Sequence, residues 1–487
     1  MIFDLIVIGS GPAGQKAALQ AARAGKLVAV IEDSGAVGGG CLHWGTMPSK
    51  SFRESVFRWS LSSRGTLGRE SEHVGAGRAP AKSELPDMAR LLKRRDRVVE
   101  NESTVIKEEF EQAGVRVHLG RARLVGPNDV EVSGPEGHRR FSSQVIIIAT
   151  GARPVAPEFL AVDGKTVHDS NTILSLKRIP RSMVVLGAGI IGCEYASIFS
   201  TAGTRVTLVD RRDEILASVD REIVDHLQGW FRAQKMEILL ETEATALDRP
   251  ARSAEKDAKT RVTLNNGKKI SAEVVLVALG RHGNTRDLGL EALGIQPDER
   301  GLLKVDEHFR TSVPHIYAVG DVIGSPALAS TSMEQGRIAA CHAFRMEDSR
   351  ELYRMPEIYP YGIYTIPEMS MVGRTEEDCR LEKGLEIVVG RAPYREVSRG
   401  QIVGDRWGLL KIIFDRKSLK ILGVHIVGDT AANLIHIGQA VMQFGGDLYY
   451  FINTVFNYPT FAEAYKLAAM DALNQIRQTS SRSAKNR

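Results

Sequence analysis

Short apolar runs that end in glycines open the chain. The first run passes directly into Gly9, Gly11 and Gly14, an alanine-rich segment follows, and a second apolar run ends at Glu32. Apolar blocks of this length are typical of buried strands in a parallel sheet. A glycine turn that joins such a strand to a helix begins a βαβ unit. Residues 1–33 are therefore predicted to form strand, glycine turn, helix and strand.

The same pattern returns in the middle of the chain. The segment MVVLGAGIIGCEYASIF at 183–199 repeats the opening order. Three further apolar blocks predict buried strands: VIIIAT at 145–150, EVVLVALG at 273–280 and HIYAVGD at 315–321. From about residue 351 the pattern changes to alternating segments such as LLKIIFD and ILGVHIVG, which predict an antiparallel sheet with helices.

Two polar stretches interrupt or follow these blocks. Residues 62–84 are rich in Gly, Ser and Arg and predict an exposed loop, after which a helix is expected to resume near Asp87. The chain after Asn474 is polar and basic, and we expect a disordered tail over 475–487.

Composition and charge exclude several classes of protein. The chain has 487 residues, of which 43% are hydrophobic and 25% charged, and its net charge is +5. These values are typical of a globular protein of several domains. No apolar stretch reaches the roughly 20 residues of a membrane span, and the opening run leads into glycines instead of a cleavage site. We therefore expect a cytoplasmic protein that binds neither membrane nor nucleic acid, with its other scattered charges on an ordinary surface.

The four cysteines, Cys41, Cys193, Cys341 and Cys379, stand far apart in the sequence. They form no C-x-x-C pair and no His/Cys spacing of a zinc site, so no metal centre is predicted. A structural disulfide is not expected in a cytosolic protein.

An internal repeat is the most informative feature of the sequence. Each copy has the spacing G-x-G-x-x-G and an acid that lies 23 positions beyond the first glycine. This is the signature of a dinucleotide-binding βαβ unit. One such spacing alone is compatible with an ordinary glycine-rich turn, but two in the same context favour two nucleotide sites. The copies comprise Gly9, Gly11, Gly14 and Glu32, and then Gly187, Gly189, Gly192 and Asp210.

The signature has a physical basis. The glycines allow a tight turn and a close approach of the backbone to pyrophosphate, the helix N-terminus supplies N–H groups, and the acid accepts hydrogen bonds from ribose. Two bound dinucleotides imply electron transfer between them. A flavin takes hydride from a nicotinamide, so FAD with NAD(P) is the simplest pairing.

The sequence resembles the pyridine nucleotide–disulfide oxidoreductase family over residues 1 to about 474. The shared segments are GSGPAG at 9–14, ATGARP at 149–154, GAGIIG at 187–192 and YAVGDV at 317–322. The resemblance implies an α/β fold with two Rossmann-like domains and a C-terminal α+β dimerisation domain. The implied boundaries are 1–152 and 279–350 for the FAD domain, 153–278 for the NAD(P) domain and 351–474 for the dimerisation domain.

The resemblance also implies roles for individual residues. Lys50 is expected beside flavin N5 and O4, where its charge stabilises the reduced anionic flavin, and Glu194 is expected to pair with Lys50. The alternatives are a surface lysine and a solvated helix residue. Asp321 is expected on the FAD ribitol. The remaining residues expected around the cofactors are Gly40, Cys41, Thr46, Thr150, Gly151 and Gly280.

Two positions depart from the family's disulfide reductases, which carry two cysteines separated by four residues. In GGGCLHWGTMPSK the first is Cys41, but the second is Thr46, which cannot form a disulfide. Near the C-terminus, Tyr458 stands where those enzymes carry a histidine, whereas Glu463 keeps the position of the acid that orients it. A tyrosine hydroxyl is a poor base at neutral pH. Both halves of the thiol chemistry are therefore missing.

One branch of the family fits this combination: the soluble, energy-independent, Si-specific pyridine nucleotide transhydrogenases. The sequence is similar to them in CLHWGTMPSK, GCEYASIF, GIYTIPE, NLIHIGQAVM and FNYPT. This implies a homodimer or larger homo-oligomer that moves hydride from NADPH to NAD⁺ through FAD by a ping-pong mechanism. The alternatives are an NAD(P)H dehydrogenase that reduces quinones or dyes and a non-catalytic binding protein, and lipoamide dehydrogenase is disfavoured.

The second acid lies in VDRRDE, which mixes two specificities. Asp210 suits the 2′-hydroxyl of NAD, while Arg211 and Arg212 suit the 2′-phosphate of NADP. The alternative is that both arginines point to solvent. Because Asp210 repels a 2′-phosphate that no arginine compensates, we expect some preference for NAD(H).

Overall fold

The computed structural model describes residues 2–64, 85–249, 259–346 and 355–485. The predicted loop at 62–84 lies outside these ranges except for residues 62–64, which are helical. The change of pattern near residue 351 also lies outside them.

The α-helices of the described residues are, in chain order, α1 (Pro12–Arg23), α2 (Gly39–His43), α3 (Thr46–Arg64), α4 (Met88–Gln112), α5 (Ile190–Thr201), α6 (Arg221–Ala233), α7 (Ala329–Ala343), α8 (Glu376–Leu381), α9 (Ser398–Val403), α10 (Ala431–Gln443), α11 (Leu448–Asn453) and α12 (Glu463–Lys485). The helix expected near Asp87 is α4, and the Asp87 side chain caps it by accepting a hydrogen bond from the Ala89 N–H at 2.9 Å.

The β-strands are β1 (Ile2–Ile8), β2 (Val28–Glu32), β3 (Arg116–Leu119), β4 (Arg121–Gly126), β5 (Asp129–Gly134), β6 (Gly137–Ile148), β7 (Ala152–Pro154), β8 (Val167–His168), β9 (Ser182–Leu186), β10 (Arg205–Val209), β11 (Glu237–Leu239), β12 (Ala244–Asp248), β13 (Thr260–Leu264), β14 (Lys269–Ala272), β15 (Val274–Val277), β16 (Arg281–Gly283), β17 (Ile316–Ala318), β18 (Tyr361–Ile363), β19 (Met369–Gly373), β20 (Ile387–Pro393), β21 (Leu409–Asp415) and β22 (Ile421–Val427).

The first sheet combines distant parts of the chain. Its order is β3-β2-β1-β6-β5-β4, and β17 pairs with β6. Strands β3, β2, β1, β6 and β17 run parallel, while β4 and β5 extend the first half of β6 as an antiparallel meander. The apolar blocks predicted as strands at the N-terminus, at 145–150 and at 315–321 therefore lie side by side.

Strand β1 shows why these blocks are apolar throughout. Successive side chains point to opposite faces of a sheet. Leu5 and Val7 pack in a core with α1 and α7, whereas Ile6 and Ile8 pack in a second core under the opposite face. All four side chains are buried. Both faces of the sheet are covered, and the strand needs apolar residues at every position.

The second sheet is wholly parallel and has the order β11-β10-β9-β15-β8. It contains the second glycine turn, between β9 and α5. An antiparallel sheet of β12, β13 and β14 lies beside it, and β7 pairs with β16 in a two-stranded sheet. The predicted block at 273–280 supplies β15.

The C-terminal sheet is antiparallel and has the order β18-β19-β22-β21-β20. The alternating segments LLKIIFD and ILGVHIVG form the neighbouring strands β21 and β22, as predicted. The predicted α/β class, with two Rossmann-like units and a C-terminal α+β unit, is confirmed. No helix in the described ranges is long and apolar enough to cross a membrane.

The segment predicted as a disordered tail over 475–487 continues α12 as far as Lys485, and α12 packs Ala468 and Ala472 against β20. The expectation that the scattered charges all lie on an ordinary surface was wrong. Lys411 in β21 and Asp220 before α6 are 1% and 0% exposed, because the start of α6 packs against the C-terminal sheet.

Candidate active site

The first glycine turn joins β1 to α1 in a conformation that excludes side chains. Gly9 has φ +104°, and a Cβ on it would lie 2.4 Å from the carbonyl oxygen of Ala149. A Cβ on Gly14 would lie 1.9 Å from the carbonyl oxygen of Gly9. Gly11 differs, since no atom lies within 4 Å of its Cβ position. Two glycines are thus fixed by packing, and the third borders open space.

The second glycine turn, between β9 and α5, has the same geometry. Gly187 has φ +103°, with a Cβ position 2.4 Å from the carbonyl oxygen of Ala278, and the Cβ position of Gly192 is 1.8 Å from the Gly187 oxygen. Gly189 again borders open space. The N-cap residues of α1 and α5 are Gly11 and Gly189, which have no side chain to accept hydrogen bonds from the first N–H groups of these helices. Both helix N-termini therefore present free N–H groups to an anion.

Glu32 ties the first turn to the loop after β2. Its Oε2 accepts hydrogen bonds from the N–H of Ser10 at 2.9 Å and from the Ser10 hydroxyl. Its Oε1 accepts from the N–H and hydroxyl of Ser34 at 2.8 and 2.7 Å. Glu32 is buried at the carboxyl end of β2, the place predicted for a ribose ligand.

Asp210 occupies the equivalent place after β10, and Arg212 holds it. Arg212 donates to Oδ1 from Nε at 2.9 Å and to Oδ2 from Nη2 at 2.8 Å. The N–H of Ala188, within the glycine turn, donates to Oδ2. Burial opposes ionisation of Asp210, but the hydrogen bonds from Arg212 outweigh it and the pKa of this carboxyl lies below its ordinary value. Arg211 is exposed beside this pair.

The predicted pair of Lys50 and Glu194 is present. Lys50 Nζ on α3 lies 2.6 Å from Oε2 of Glu194 on α5, and the Glu194 side chain is only 7% exposed. The N–H of Tyr364 donates to the other carboxylate oxygen at 2.8 Å, and Lys50 Nζ lies 5.0 Å from the centre of the Tyr364 ring. Glu194 is therefore not a solvated helix residue but the fixed partner of a lysine whose side chain is 26% exposed.

Cys41 and Thr46 meet across the turn between α2 and α3. Burial raises the pKa of the Cys41 thiol above its ordinary value, although a hydrogen bond with Thr46 acts in the opposite direction. All four cysteines are free. Gly40 lies beside Cys41, and its Cβ position is 3.0 Å from the Trp44 indole nitrogen. The thiol is protonated at neutral pH and has no second sulfur as a partner.

A second group of predicted residues surrounds the end of β6. Gly151 accepts a hydrogen bond from the N–H of Asn284, and the Thr150 carbonyl accepts one from the Asn284 side chain, both at 2.9 Å. Gly280 has φ +126°, with nothing within 4 Å of its Cβ position. Asp321, after β17, lies 4.0 Å from Nε of Arg281.

This group fits a bound flavin nucleotide. The hydroxyl of Thr150 and the Nε of Arg281 are buried and find no hydrogen-bond partner among the described residues. Buried polar groups are almost always satisfied in native proteins. Together with the open space at Gly11, these orphaned donors indicate a polar ligand whose acceptors would satisfy them.

The two C-terminal residues lie elsewhere in a single chain. Tyr458 is 72% exposed, and its hydroxyl accepts a hydrogen bond from Ser398 at 2.8 Å. Glu463 begins α12, and its Oε2 is buried without a partner among the described residues. The chain by itself does not bring Tyr458 to Cys41 or Lys50.

Sequence reasoning missed the residues that hold the predicted ones in place. Ser10 and Ser34 position Glu32, Tyr364 positions Glu194, and Arg281 faces Asp321. Ser10 and Arg281 adjoin predicted glycines, so their neighbours gave a signal. Tyr364 positions Glu194 through its backbone N–H, and a contact of that kind gives no signal in the sequence.

The fold and the site define a nucleotide-dependent oxidoreductase with two dinucleotide-binding units. Residues 3–336 match the model of the pyridine nucleotide-disulphide oxidoreductase family, and residues 359–469 match its dimerisation domain. The chain belongs to this family.

Curated relatives agree over nearly the full length. A protein named soluble pyridine nucleotide transhydrogenase from Mycobacterium bovis is 43% identical over 477 residues, which cover 98% of each chain. A protein of the same name from Chromohalobacter salexigens is 41% identical and covers 97% of this chain and 99% of its own. The predicted resemblance to this branch is confirmed.

Solved structures show the same architecture. A Cu(II) complex of a HOCl-induced flavoprotein disulfide reductase from Escherichia coli superimposes with a TM-score of 0.84 at 27% identity, covering 96% of this chain and 99% of that one. LpdA from Mycobacterium tuberculosis gives the same TM-score at 26% identity, with the same coverage.

Proposed function

We propose that this protein transfers hydride between NADPH and NAD⁺ through a bound FAD, by a ping-pong mechanism and without a redox-active disulfide. The observation that carries the proposal is the contrast within residues 41–50. The Lys50–Glu194 pair is intact at 2.6 Å, while Thr46 takes the place of the second cysteine. The residues expected beside the flavin and the nicotinamide are kept, whereas the second cysteine of a redox-active disulfide is absent.

The chain's own residues suit FAD at the first turn and NAD(P) at the second. The N-termini of α1 and α5 receive the two pyrophosphates, Glu32 and Asp210 receive the riboses, and Asp321 with Thr150 binds along the flavin nucleotide. When bound, the flavin supplies a carrier that accepts two electrons from one nicotinamide and passes them to another.

Lys50 and Glu194 orient the reacting groups. Glu194 pairs with the Lys50 ammonium group, and the Tyr364 N–H fixes the carboxylate that does so. The ammonium group then keeps one position, with donors directed at the place of developing negative charge. Preorganised donors of this kind contribute strongly to catalysis in sites that exclude water.

Cys41 takes no part in this reaction. A buried thiol with a raised pKa is a poor nucleophile, and Thr46 offers it a hydrogen bond instead of a sulfur. Because both substrates are nicotinamides, no proton has to reach a distant thiolate. The exposed Tyr458 is accordingly tolerated where the disulfide reductases of the family carry a histidine.

The pair of Asp210 and Arg212 lets one site accept both nucleotides. The guanidinium neutralises the carboxylate, which weakens its repulsion of a 2′-phosphate, and Arg211 is exposed beside the pair, where it can contact that phosphate. Each Asp210 oxygen accepts two hydrogen bonds, from Arg212 and from the Ala188 N–H, so a 2′-hydroxyl binds this carboxylate by displacing part of the Arg212 contact. Since Asp210 keeps its charge, we still propose a preference for NAD(H).

The active form is proposed to be a homodimer or a larger homo-oligomer. The C-terminal unit matches a dimerisation domain. It exposes large apolar side chains that a partner would cover, with Phe444 90% and Val455 92% exposed.

An anaerobic assay of the purified yellow protein with NADPH and thio-NAD⁺ tests the function. We expect rapid formation of thio-NADH and negligible turnover with lipoamide in a parallel assay. If NADPH bleaches the flavin but thio-NAD⁺ does not take up the electrons, the transhydrogenase proposal is wrong. An NAD(P)H dehydrogenase with another acceptor then becomes the better explanation.

A further inference from the structure

A buried ionic cluster joins the second Rossmann-like unit to the C-terminal sheet. Lys411 on β21 is 1% exposed, and its Nζ contacts three carboxylates. It lies 2.8 and 2.9 Å from the two oxygens of Asp220, 3.0 Å from Glu222 and 2.7 Å from Glu376. Arg391 on β20 adds a bidentate contact to Glu222 at 2.6 and 2.8 Å. The cluster thus connects four separate elements.

Each charged group of this cluster has defined hydrogen-bonding partners. Charged groups this deeply buried require partners for each hydrogen bond, since water is excluded. Asp220 is 0% exposed and receives a further hydrogen bond from the N–H of Glu376 at 3.1 Å. Glu376 is itself held by Arg380 at 2.8 Å. Lys411, Asp220, Glu222 and Glu376 are called the clamp below.

Further contacts fix the same helix to the same sheet. His226 in the middle of α6 bonds the carbonyl oxygen of Trp407 at 3.1 Å. The rings of Trp230 and Trp407 meet edge to face with centroids 5.9 Å apart. Helix α6 is therefore held along its length, and the clamp fixes its N-terminal end through Asp220 and Glu222.

The clamp lies at the end of the segment that reads the nucleotide ribose. Residues 211–219 run from the end of β10 to Asp220 and begin with Arg211 and Arg212. The middle of the segment is tied to the second glycine turn, because the Leu216 N–H donates to the Ala188 carbonyl at 3.0 Å. The far end is tied to the C-terminal sheet by Asp220 and Lys411. Among the described residues from Leu216 to the start of α6, Asp220 is the charged side chain that fastens the segment to the rest of the protein.

We propose that Lys411 is a positioning residue for nucleotide selection, which acts through Asp220 to hold the 211–219 segment and so places Arg211 and Arg212 at the 2′-position of the adenosine ribose. This inference rests on the proposed function, in that NADPH is a substrate. It assigns to the C-terminal unit a role in binding the nucleotide. Lys411 is not proposed to touch the substrate. Its effect on nucleotide binding passes through two contacts that hold the 211–219 segment, Asp220 with Lys411 and Leu216 with Ala188.

The test is the Lys411→Met variant, which keeps the length of the side chain and removes its charge. The holoenzyme is titrated anaerobically in a stopped-flow instrument with NADPH and, separately, with NADH. The dependence of the flavin-bleaching rate on concentration gives a Kd and a limiting rate for each nucleotide. We expect the Kd for NADPH to rise about tenfold and that for NADH by less than about threefold, with limiting rates within about twofold of wild type.

A general loosening of the protein gives a different result. It weakens both nucleotides equally or lowers the limiting rates and the FAD content, and either outcome overturns the proposal. Unchanged Kd values for both nucleotides overturn it as well. The matched control is Lys268→Met, which removes an exposed lysine that pairs with Glu237 at 2.7 Å in the same unit, and which is expected to change neither Kd.

A second variant covers the case in which Lys411→Met fails to fold. Asp220→Asn preserves the shape of the clamp and leaves Lys411 paired with Glu222 and Glu376. It is expected to raise the Kd for NADPH by a smaller factor than Lys411→Met. Kd values equal to those of the wild type overturn the proposal. The wild-type titration separates this test from the proposed function, because a wild-type flavin that NADPH cannot bleach counts against that function alone.

Discussion

At the scale of single residues, the ammonium group of Lys50 is held where the proposed reaction needs a fixed positive charge. Its carboxylate partner is buried and is anchored a second time by a backbone N–H, so the lysine has little freedom to leave the site. A charge that is already in place when the substrate binds can stabilise the transition state without the cost of rearranging the site during the reaction.

Replacing Lys50 with Met tests this role. We expect FAD content and thermal stability close to wild type, because the side chain is 26% exposed, and a flavin-bleaching rate with NADPH that falls by about 10²-fold. The measurement is anaerobic stopped-flow absorbance. The control is Lys26→Met, which removes a lysine lying over the Phe344 ring just beyond the C-terminal ends of α1 and α7. A Lys50→Met rate within twofold of wild type would show that the charge has no catalytic role.

At the scale of elements, the two strand–turn–helix units share one geometry and differ in the ligand proposed for each. In both turns, the outer glycines are packed against backbone carbonyls and the central glycine borders open space. Substitution of the outer glycines damages the fold, whereas substitution of the central ones fills the space that a pyrophosphate would occupy.

Alanine substitutions at the central glycines separate the two sites. Gly189→Ala is expected to retain FAD and to weaken NADPH binding at least about tenfold, since its Cβ meets no protein atom within 4 Å. Gly11→Ala is expected to lose FAD. The measurements are the flavin absorbance of the purified protein and a nucleotide titration. Gly192→Ala serves as the contrast and should unfold at a lower temperature, because its Cβ collides with the Gly187 oxygen. Loss of FAD from Gly189→Ala would contradict this assignment of the turns.

At the scale of the whole molecule, the clamp links stability to pH. Burial alone would raise the pKa of Asp220, Glu222 and Glu376, but the positive groups around them outweigh it and each pKa lies below its ordinary value. Carboxyls with a depressed pKa stabilise the folded state above their unfolded pKa values, near ~4, and this contribution is lost as the pH falls through the folded values.

Acid unfolding of the wild type and Lys411→Met tests this link. At pH 7 we expect the variant to have a free energy of unfolding about 3–5 kcal/mol lower, the usual result of leaving buried charges unpaired. Below about pH 4 the deficit should shrink, because the carboxyls that lost their partner become protonated. Denaturant unfolding at pH values from 7 to 3.5 measures both quantities. A deficit that stays constant with pH would show that the lysine contributes by packing and not by charge.

The sequence by itself determined the features that depend on neighbouring residues. A glycine turn, its helix and the following acid lie within about 25 positions, and the backbone rules that require each glycine act locally. The strands β1, β6, β15, β17, β21 and β22 were equally predictable, because burial on one or both faces leaves its period in the sequence. The pairing of Lys50 with Glu194, 144 positions apart, was accessible only through resemblance to a family.

Only the tertiary structure decided which charged residues are buried. Nothing in LLKIIFD distinguishes Lys411 from the solvent-facing lysine of an ordinary half-buried strand, because its partner Asp220 is 191 positions away and belongs to another unit. Arg212 is a different case, because it pairs with Asp210 only two positions away and its side chain remains 43% exposed. Helix α12 continues through a polar tail where it packs against β20. Periodicity records whether one face of an element is covered, whereas the burial of a charge depends on which other element covers it, and that is settled when the units pack together.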